Sequence, residues 1–408
     1  MSGPGPLDPH QRPYRWVMLF LLWLVYFSHG ITSRSAAPLV TPMLADLQMI
    51  YSQMGLVLGS WQLSYIAVAI FAGILLDRWG IRKSLFLGIL VIGLSVLLRY
   101  FVTGFMTLLF TVALFGVGGP MISVGAPKAI ALWFKGKDRG TAVGIYTTGS
   151  RVGQMLALAA TNGIVMPLTG YSWRLTFALY GFFIISIAVL WGLLARDAPG
   201  GADAKKLSIY QLFLGLIRVR NVQIVIACGL LTFSITHGFS NWLPKLLETR
   251  GMTPTLAGYG AAIPLVASLP GILLIPRLVP AHFRSIFVSL LTLLAATAIM
   301  LIATSFGPLL VGLLLFGIAA PTLPPLCMLI LMDLPEVGAE HMGSIGGIYF
   351  TMAEIGGFLG PLVFGVLVDL TGNFLSGASF LAFLGIIIAV LILLLRISPV
   401  PLQKVSPE

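Results

Sequence analysis

The chain has 408 residues, of which 58% are hydrophobic and only 9% charged, with a mean hydropathy of +1.00. This composition excludes a soluble globular protein and points to an integral membrane protein, and its long continuous apolar runs favour helices over the alternating strands of a barrel. The net charge of +11 would suggest a nucleic-acid partner in a soluble chain, but here its placement is that of membrane topology, so no nucleic-acid partner is expected.

Apolar runs begin near Trp16, Met54, Ser84, Met106, Thr141 and Leu175, and again near Val222, Leu256, Phe283, Leu309, Met342 and Phe374. At about 20 residues per span these runs use up the chain and leave no room for a sizeable soluble domain. The expected fold is an all-α membrane protein of twelve transmembrane helices in two six-helix bundles, residues 1–195 and 221–408. A linker, 196–220, joins them; it contains the polar stretch RDAPGGADAKK and a basic interfacial segment. The first run follows Arg12 and Arg15, is too long for a signal-peptide core and reads as a retained helix. Cys228 and Cys327 lie apart in apolar runs and match neither a disulfide framework nor a metal site.

Of the 24 Lys and Arg residues, 17 fall on one set of alternate loops and tails. Arg99, Arg174, Lys245 and Arg250 fall on the other side, and Arg34, Lys128 and Arg151 lie within the runs. The positive-inside rule then places both termini in the cytoplasm.

The halves are related by an internal repeat. GIYTTGSRVG, beginning at Gly144, returns as GIYFTMAEIG from Gly347; FGVGGP at Phe115 returns as FGIAAP at Phe316. GILL at Gly73 returns at Gly271, and His29-Gly30 returns as His237-Gly238. Ordered matches at similar offsets indicate one six-helix unit used twice, the build of transporters that rock one half against the other around a midplane site. The repeat also puts Arg151 and Glu354 at equivalent positions.

After the second run the chain reads GILLDRWGIRKS, an acid at a helix end followed by a tight turn and basic residues. This resembles the cytoplasmic loop motif of the major facilitator superfamily, and the resemblance implies a conformational latch of Asp77, Arg78, Gly80, Arg82 and Lys83. The second-half counterpart, GILLIPRLVPAHFRS, lacks the acid. PKAIALWFKGKDRGTAVG from Pro127, SWRLTF from Ser172 and ITSRSAAPLVTPML in the first helix are similar to the bacterial anion-handling branches: the anion:cation symporters for organic anions and, more loosely, nitrate and cyanate carriers. The acid that precedes the helix 1 Arg in those symporters is Ser33 here, and the helix 4 position that often carries Glu is Gly119, so both of that family's proton sites are missing.

Within the runs three cations face a single acid, Glu354. Bare cations in hydrocarbon cost at least about 2.5 kcal/mol each on insertion scales, so they must meet water, an acid or a bound anion. Arg34 is the first candidate for substrate, since a guanidinium holds a carboxylate through two parallel hydrogen bonds and related carriers place a substrate Arg in helix 1. Arg151 either binds substrate or pairs with a polar group of helix 8 or helix 1. Lys128, near a helix end, reads as a snorkelling residue. Glu354 is the proton carrier on offer, with His29 as a second candidate and its repeat mate His237 on the substrate side. Tyr65, Gln62, Tyr146, Tyr349, Asn241 and Trp242 are candidate cavity walls or hydrogen-bond donors.

No nucleotide-binding Gly-Lys motif, nucleophile elbow or zinc-spaced histidines occur, so the expectation is no enzyme and no cofactor, with a proton or counter-anion gradient as the energy source. The expected activity is secondary transport of a small organic anion, a carboxylate, by alternating access of a monomer in the cell membrane, with proton symport slightly favoured over anion exchange. The alternatives are an inorganic anion carrier or drug efflux.

Overall fold

The computed structural model describes residues 13–197, 219–304, 307–334 and 337–395. Most of the expected linker therefore lies outside the described residues, as do Arg12, Lys205, Lys206, Arg396 and Lys404. Helices account for nearly everything else. In chain order they are α1 (Tyr14–Leu47), α2 (51–79), α3 (81–101), α4 (Phe105–Trp133), α5 (136–168), α6 (Trp173–Leu194), α7 (Arg220–Thr249), α8 (Pro254–Leu278), α9 (Arg284–Ala303), α10 (Leu309–Asp333), α11 (Gly338–Thr371) and α12 (Phe374–Leu393). Ten stretches among the described residues are long and apolar enough to cross a membrane. The starts fall within a few residues of those expected from hydropathy.

Breaks in the helices follow from local chemistry. Gly80, at φ +79°, separates α2 from α3 in a backbone conformation that glycine adopts without strain. In α1, Pro38 has no N–H to bond the carbonyl four residues back, and Ala37–Leu39 tightens into a 3-10 turn. The carbonyl thus released is that of Arg34, which occupies the last turn of a straight segment, where free carbonyls favour a cation. Pro321 marks a similar 3-10 turn, Ala320–Thr322, within α10.

Close packing within each half uses the repeated glycines. A Cβ on Gly149 or Gly153 would come within 2.5 or 2.2 Å of the α1 carbonyls of Trp23 and Phe27. In the second half, a Cβ on Gly356 or Gly360 would come within 1.9 or 2.2 Å of the α7 carbonyls of Leu230 and Ser234. Small residues here let backbones touch where lipid offers no hydrophobic drive. Because Gly149 and Gly153 face α1, Arg151 between them is turned away from it, and Glu354 is likewise turned away from α7.

The helix ends define two faces of the bundle. The near end carries Tyr14 and Leu393; there Arg15 pairs with Asp138 at 3.1 Å, and Tyr14 donates to the carbonyl of Leu194. At the far end the halves are closed. Gly55 and Gly59 of α2 abut Pro361 and Phe358 of α11, and Gly258 of α8 abuts the Leu158 carbonyl of α5. Asn162 donates from Nδ2 to the Pro254 carbonyl at 3.2 Å, and Lys245 donates to the Thr41 hydroxyl at 2.8 Å. Asp369 of α11 accepts the backbone N–H groups of Tyr51 and Ser52, at 2.9 and 2.7 Å, at the start of α2. Toward the near end the same helices stand apart: a Cβ on Gly73, Gly140, Gly144 or Gly347 would meet nothing within 4 Å among the described residues.

Candidate functional site

At mid-height, between the halves, lies a cavity of about 300 Å³. The first half contributes His29, Ser33 and Arg34 from α1, Trp61 from α2, and Ser150, Arg151 and Gln154 from α5. The second half contributes Phe233, Thr236, His237 and Ser240 from α7, Leu265 from α8, and Pro321 and Pro324 from α10. Two guanidinium groups line the cavity and, among the described residues, no carboxylate does.

Both arginines are held by the opposite half. Arg34 donates from Nη1 to Asn241 Oδ1 at 2.6 Å, and Arg151 donates from Nη1 to Ser268 Oγ at 3.3 Å. Neither has an ion-pair partner among the described residues. Arg34 and Arg151 are close enough to act electrostatically on one another, a repulsion that an anion between them would relieve. Arg151 thus bonds a polar group of α8, one of the partners expected for it, while lining the cavity.

The other candidates divide into walls and supports. His29 and His237 line the cavity, the first against Phe115 with ring centroids 5.1 Å apart, the second stacked on Phe233 at 5.5 Å. Gln62 and Asn241 lie behind that wall: Gln62 Nε2 is 3.3 Å from His237 Nδ1, and Asn241 holds Arg34. Tyr65 is engaged with Ser123 Oγ at 2.7 Å and is not among the lining residues. Tyr146 packs edge-on against Tyr26 at 4.6 Å, also off the lining. Tyr349 is fully buried against Gly229, its ring 2.5 Å from where a Cβ on that glycine would sit, which makes it a core residue of the second half. Trp242 is buried too, donating to the Pro361 carbonyl at 2.9 Å. Glu354 does not reach Arg151; its carboxylate faces the Gln62 side of α11.

In this conformation Asp77 and Arg82, flanking the loop after α2, bond to neighbours in their own half. Asp77 pairs with Lys128 of α4 at 2.7 Å, so the Lys128 ammonium, expected to snorkel alone, has an acid partner. Arg82 donates to the Gly192 carbonyl at 2.7 Å, and its N–H bonds Asp197 at 3.2 Å. These contacts stay within the first half. Arg99, one of the four basic residues on the other side, is 1% exposed, donates to Ser35 Oγ at 3.3 Å and lies 5.0 Å over the Phe177 ring.

Sequence reasoning singled out His237 but missed its cavity-lining neighbours on α7. Phe233, Thr236, His237 and Ser240 recur at helical spacing within an apolar run, a signal of a face turned to water. Ser150 and Gln154, flanking Arg151 by one and three residues, carry the same signal on α5.

Residues 22–361 match the Major Facilitator Superfamily. The chain is 26% identical to the hexuronate transporter of Bacillus subtilis over 405 residues, covering 90% of each chain. It is 24% identical to the probable galactarate/D-glucarate transporter of Escherichia coli, covering 96% of this chain and 95% of the relative. It is also 24% identical to the probable sulfoacetate transporter of Cupriavidus necator, with coverage of 88% and 87%. Among solved structures, the nucleoside transporter NupG superposes with a TM-score of 0.75 at 17% identity, covering 92% of this chain and 99% of the other. A bacterial homologue of the lysosomal transporter Spinster, inward-facing and unoccupied, gives 0.72 at 18% identity, covering 93% and 95%. Two six-helix halves, a mid-height cavity shared between them and a match over most of the length converge on one conclusion: the chain is a multi-pass membrane protein that belongs to the Major Facilitator Superfamily.

Proposed function

We propose that this protein is a secondary transporter of a small organic anion, a carboxylate, which it binds between Arg34 and Arg151 and exposes to the two membrane faces in turn. The observation that carries this reading is the pairing of two arginines in one cavity whose lining contains no acid. A bound carboxylate supplies the missing charge and accepts both guanidinium groups. Trp61, Phe233 and Leu265 give the cavity an apolar wall, which suits a carbon skeleton better than nitrate, and about 300 Å³ lies at the small end of ligand sites. The relatives named for hexuronate, galactarate/D-glucarate and sulfoacetate transport support the same class.

With the termini in the cytoplasm, as the distribution of Lys and Arg supports, the near end faces inward and the described conformation is open to the cytoplasm. The protein works as a monomer in the cytoplasmic membrane, and Glu354 couples transport to protons. Uptake into proteoliposomes tests the substrate class, using D-glucarate, D-galactonate, tartrate, sulfoacetate and nitrate. At least one organic anion is taken up, and Arg34→Ala weakens its binding roughly tenfold to a hundredfold, the loss expected for one or two charge-assisted hydrogen bonds. Transport of none of them, or uptake untouched by Arg34→Ala, refutes the reading.

A further inference from the structure

Behind the cavity wall, between α2 and α11, two buried acceptors lack a donor among the described residues. Glu354 Oε2 and Gln62 Oε1 are both shielded from solvent, and no described group hydrogen-bonds to either. They belong to side chains that converge: a Cβ on Gly357 would meet Gln62 Nε2 at 3.1 Å and Glu354 Oε2 at 3.5 Å. Buried acceptors are nearly always satisfied, and a proton on Glu354 would supply the donor that this pair lacks. Gln62 in turn reaches His237 Nδ1 at 3.3 Å, and His237 lines the cavity.

From this line we infer that Gln62 is the coupling residue of the transporter: it converts the protonation of Glu354 into the hydrogen-bond polarity that His237 presents to the bound anion. The inference rests on the organic-anion reading above and deepens it.

With Glu354 protonated, its O–H donates to Gln62 Oε1. The Gln62 N–H then donates to His237 Nδ1, and the ring proton of the neutral imidazole resides on Nε2, the nitrogen left for the cavity. There it is a third donor for a carboxylate beside the two arginines. When Glu354 is ionised the amide turns over and donates to the carboxylate, and Gln62 Oε1 accepts from His237 Nδ1–H. Nε2 is then a bare acceptor, which repels the anion. One proton is gained or lost, at Glu354; the imidazole stays neutral and only changes tautomer by exchange with water in the cavity. Proton and anion therefore bind together without any proton passing through the substrate.

The groups around this line leave Glu354 as the member that titrates. From α2 the titratable neighbour is Tyr65, held by Ser123, and from α7 it is His237, with Arg34 of α1 beyond it. The helix α12 carries no titratable side chain, and those described on α10 are Cys327, beside Tyr349, and Asp333, paired with Arg284. The arrangement links the halves, because Gln62 lies in the first while Glu354 and His237 lie in the second.

The test combines calorimetric binding of the anion panel on either side of neutrality with ¹⁵N-histidine spectra of the full-length protein in detergent, the His237 signal being assigned by its loss in His237→Gln. The wild type is expected to bind anion about tenfold more tightly at acid pH, the worth of one hydrogen bond to a charged group. Glu354→Gln, whose amide donates as the acid does, binds tightly at both pH values and keeps counterflow but loses gradient-driven accumulation. Gln62→Leu removes the pH dependence although Glu354 is still present, and the His237 tautomer no longer changes with pH. PH-dependent affinity that survives Gln62→Leu, or a wild-type His237 tautomer that never changes, overturns the inference while leaving the substrate reading intact. If no anion of the panel binds, the substrate reading fails, and the tautomer spectra alone decide on the relay.

Discussion

Truncating Asp369 should open the far end of the molecule. The helix α2 starts after Ile50, which has no side-chain acceptor for the first free N–H groups, and Asp369 supplies one from the other half through bonds of 2.9 and 2.7 Å to Tyr51 and Ser52. A cap delivered in trans exists only while the halves are together, so its free energy belongs to the closed far end. Capping carboxylates contribute about 0.5–2 kcal/mol, with help from the helix dipole. Losing about 1–2 kcal/mol shifts a two-state equilibrium by roughly five- to thirtyfold. Spin labels at Phe101 and Leu310, both exposed at far-end helix termini in opposite halves, report the separation. Native Cys228 and Cys327 are buried and do not compete for label. Asp369→Ala should raise the separated population by that factor, and Asp369→Asn, which keeps one acceptor, by less. Identical distance distributions in wild type and Asp369→Ala would refute the reasoning.

Gly258→Val should hold the far ends apart and abolish transport, since even its Cβ would lie 2.4 Å from the Leu158 carbonyl; normal uptake would show that α8 can retreat. Arg99 has no acid partner in its hydrogen bonds, so Arg99→Met, which keeps its volume, should change thermal stability by less than about 1 kcal/mol, whereas Arg99→Ala should lose about 2–5 kcal/mol by thermal melting in detergent. The Asp77–Lys128 pair is half exposed, and a double-mutant cycle of Asp77→Asn with Lys128→Gln should give a coupling of no more than about 1 kcal/mol.

The fold was legible because lipid leaves few alternatives to apolar helices, and because the repeat is still visible in FGVGGP and FGIAAP. The site was legible as charge: Arg34 and Arg151 stood out because a cation in hydrocarbon needs a reason. Rank order among the aromatic and amide candidates was not legible. Tyr65, Tyr146 and Tyr349 look alike in sequence, and whether a hydroxyl meets the cavity, Ser123 or a cysteine-lined core depends on helix rotation, which apolar runs do not encode on a face exposed to lipid. Lys128 shows the same limit. Its distance from the end of α4 suggested a snorkelling side chain, but Asp77 lies 51 residues earlier and meets it only because α2 and α4 are neighbours.

The glycines left bare at the near end carry a consequence for evolution and for engineering. A Cβ at Gly73, Gly144 or Gly347 would meet no described residue in this conformation, yet each falls within a repeated motif whose other glycines stand against backbone at contact distance. A side chain added at Gly144 would pass unnoticed in any screen that scores this shape, including expression, melting temperature and binding from the near side. Its cost would fall on the shape in which the near end closes, so it would appear only as a missing half of the cycle: a transporter that folds, binds and never lets the far side see its cargo.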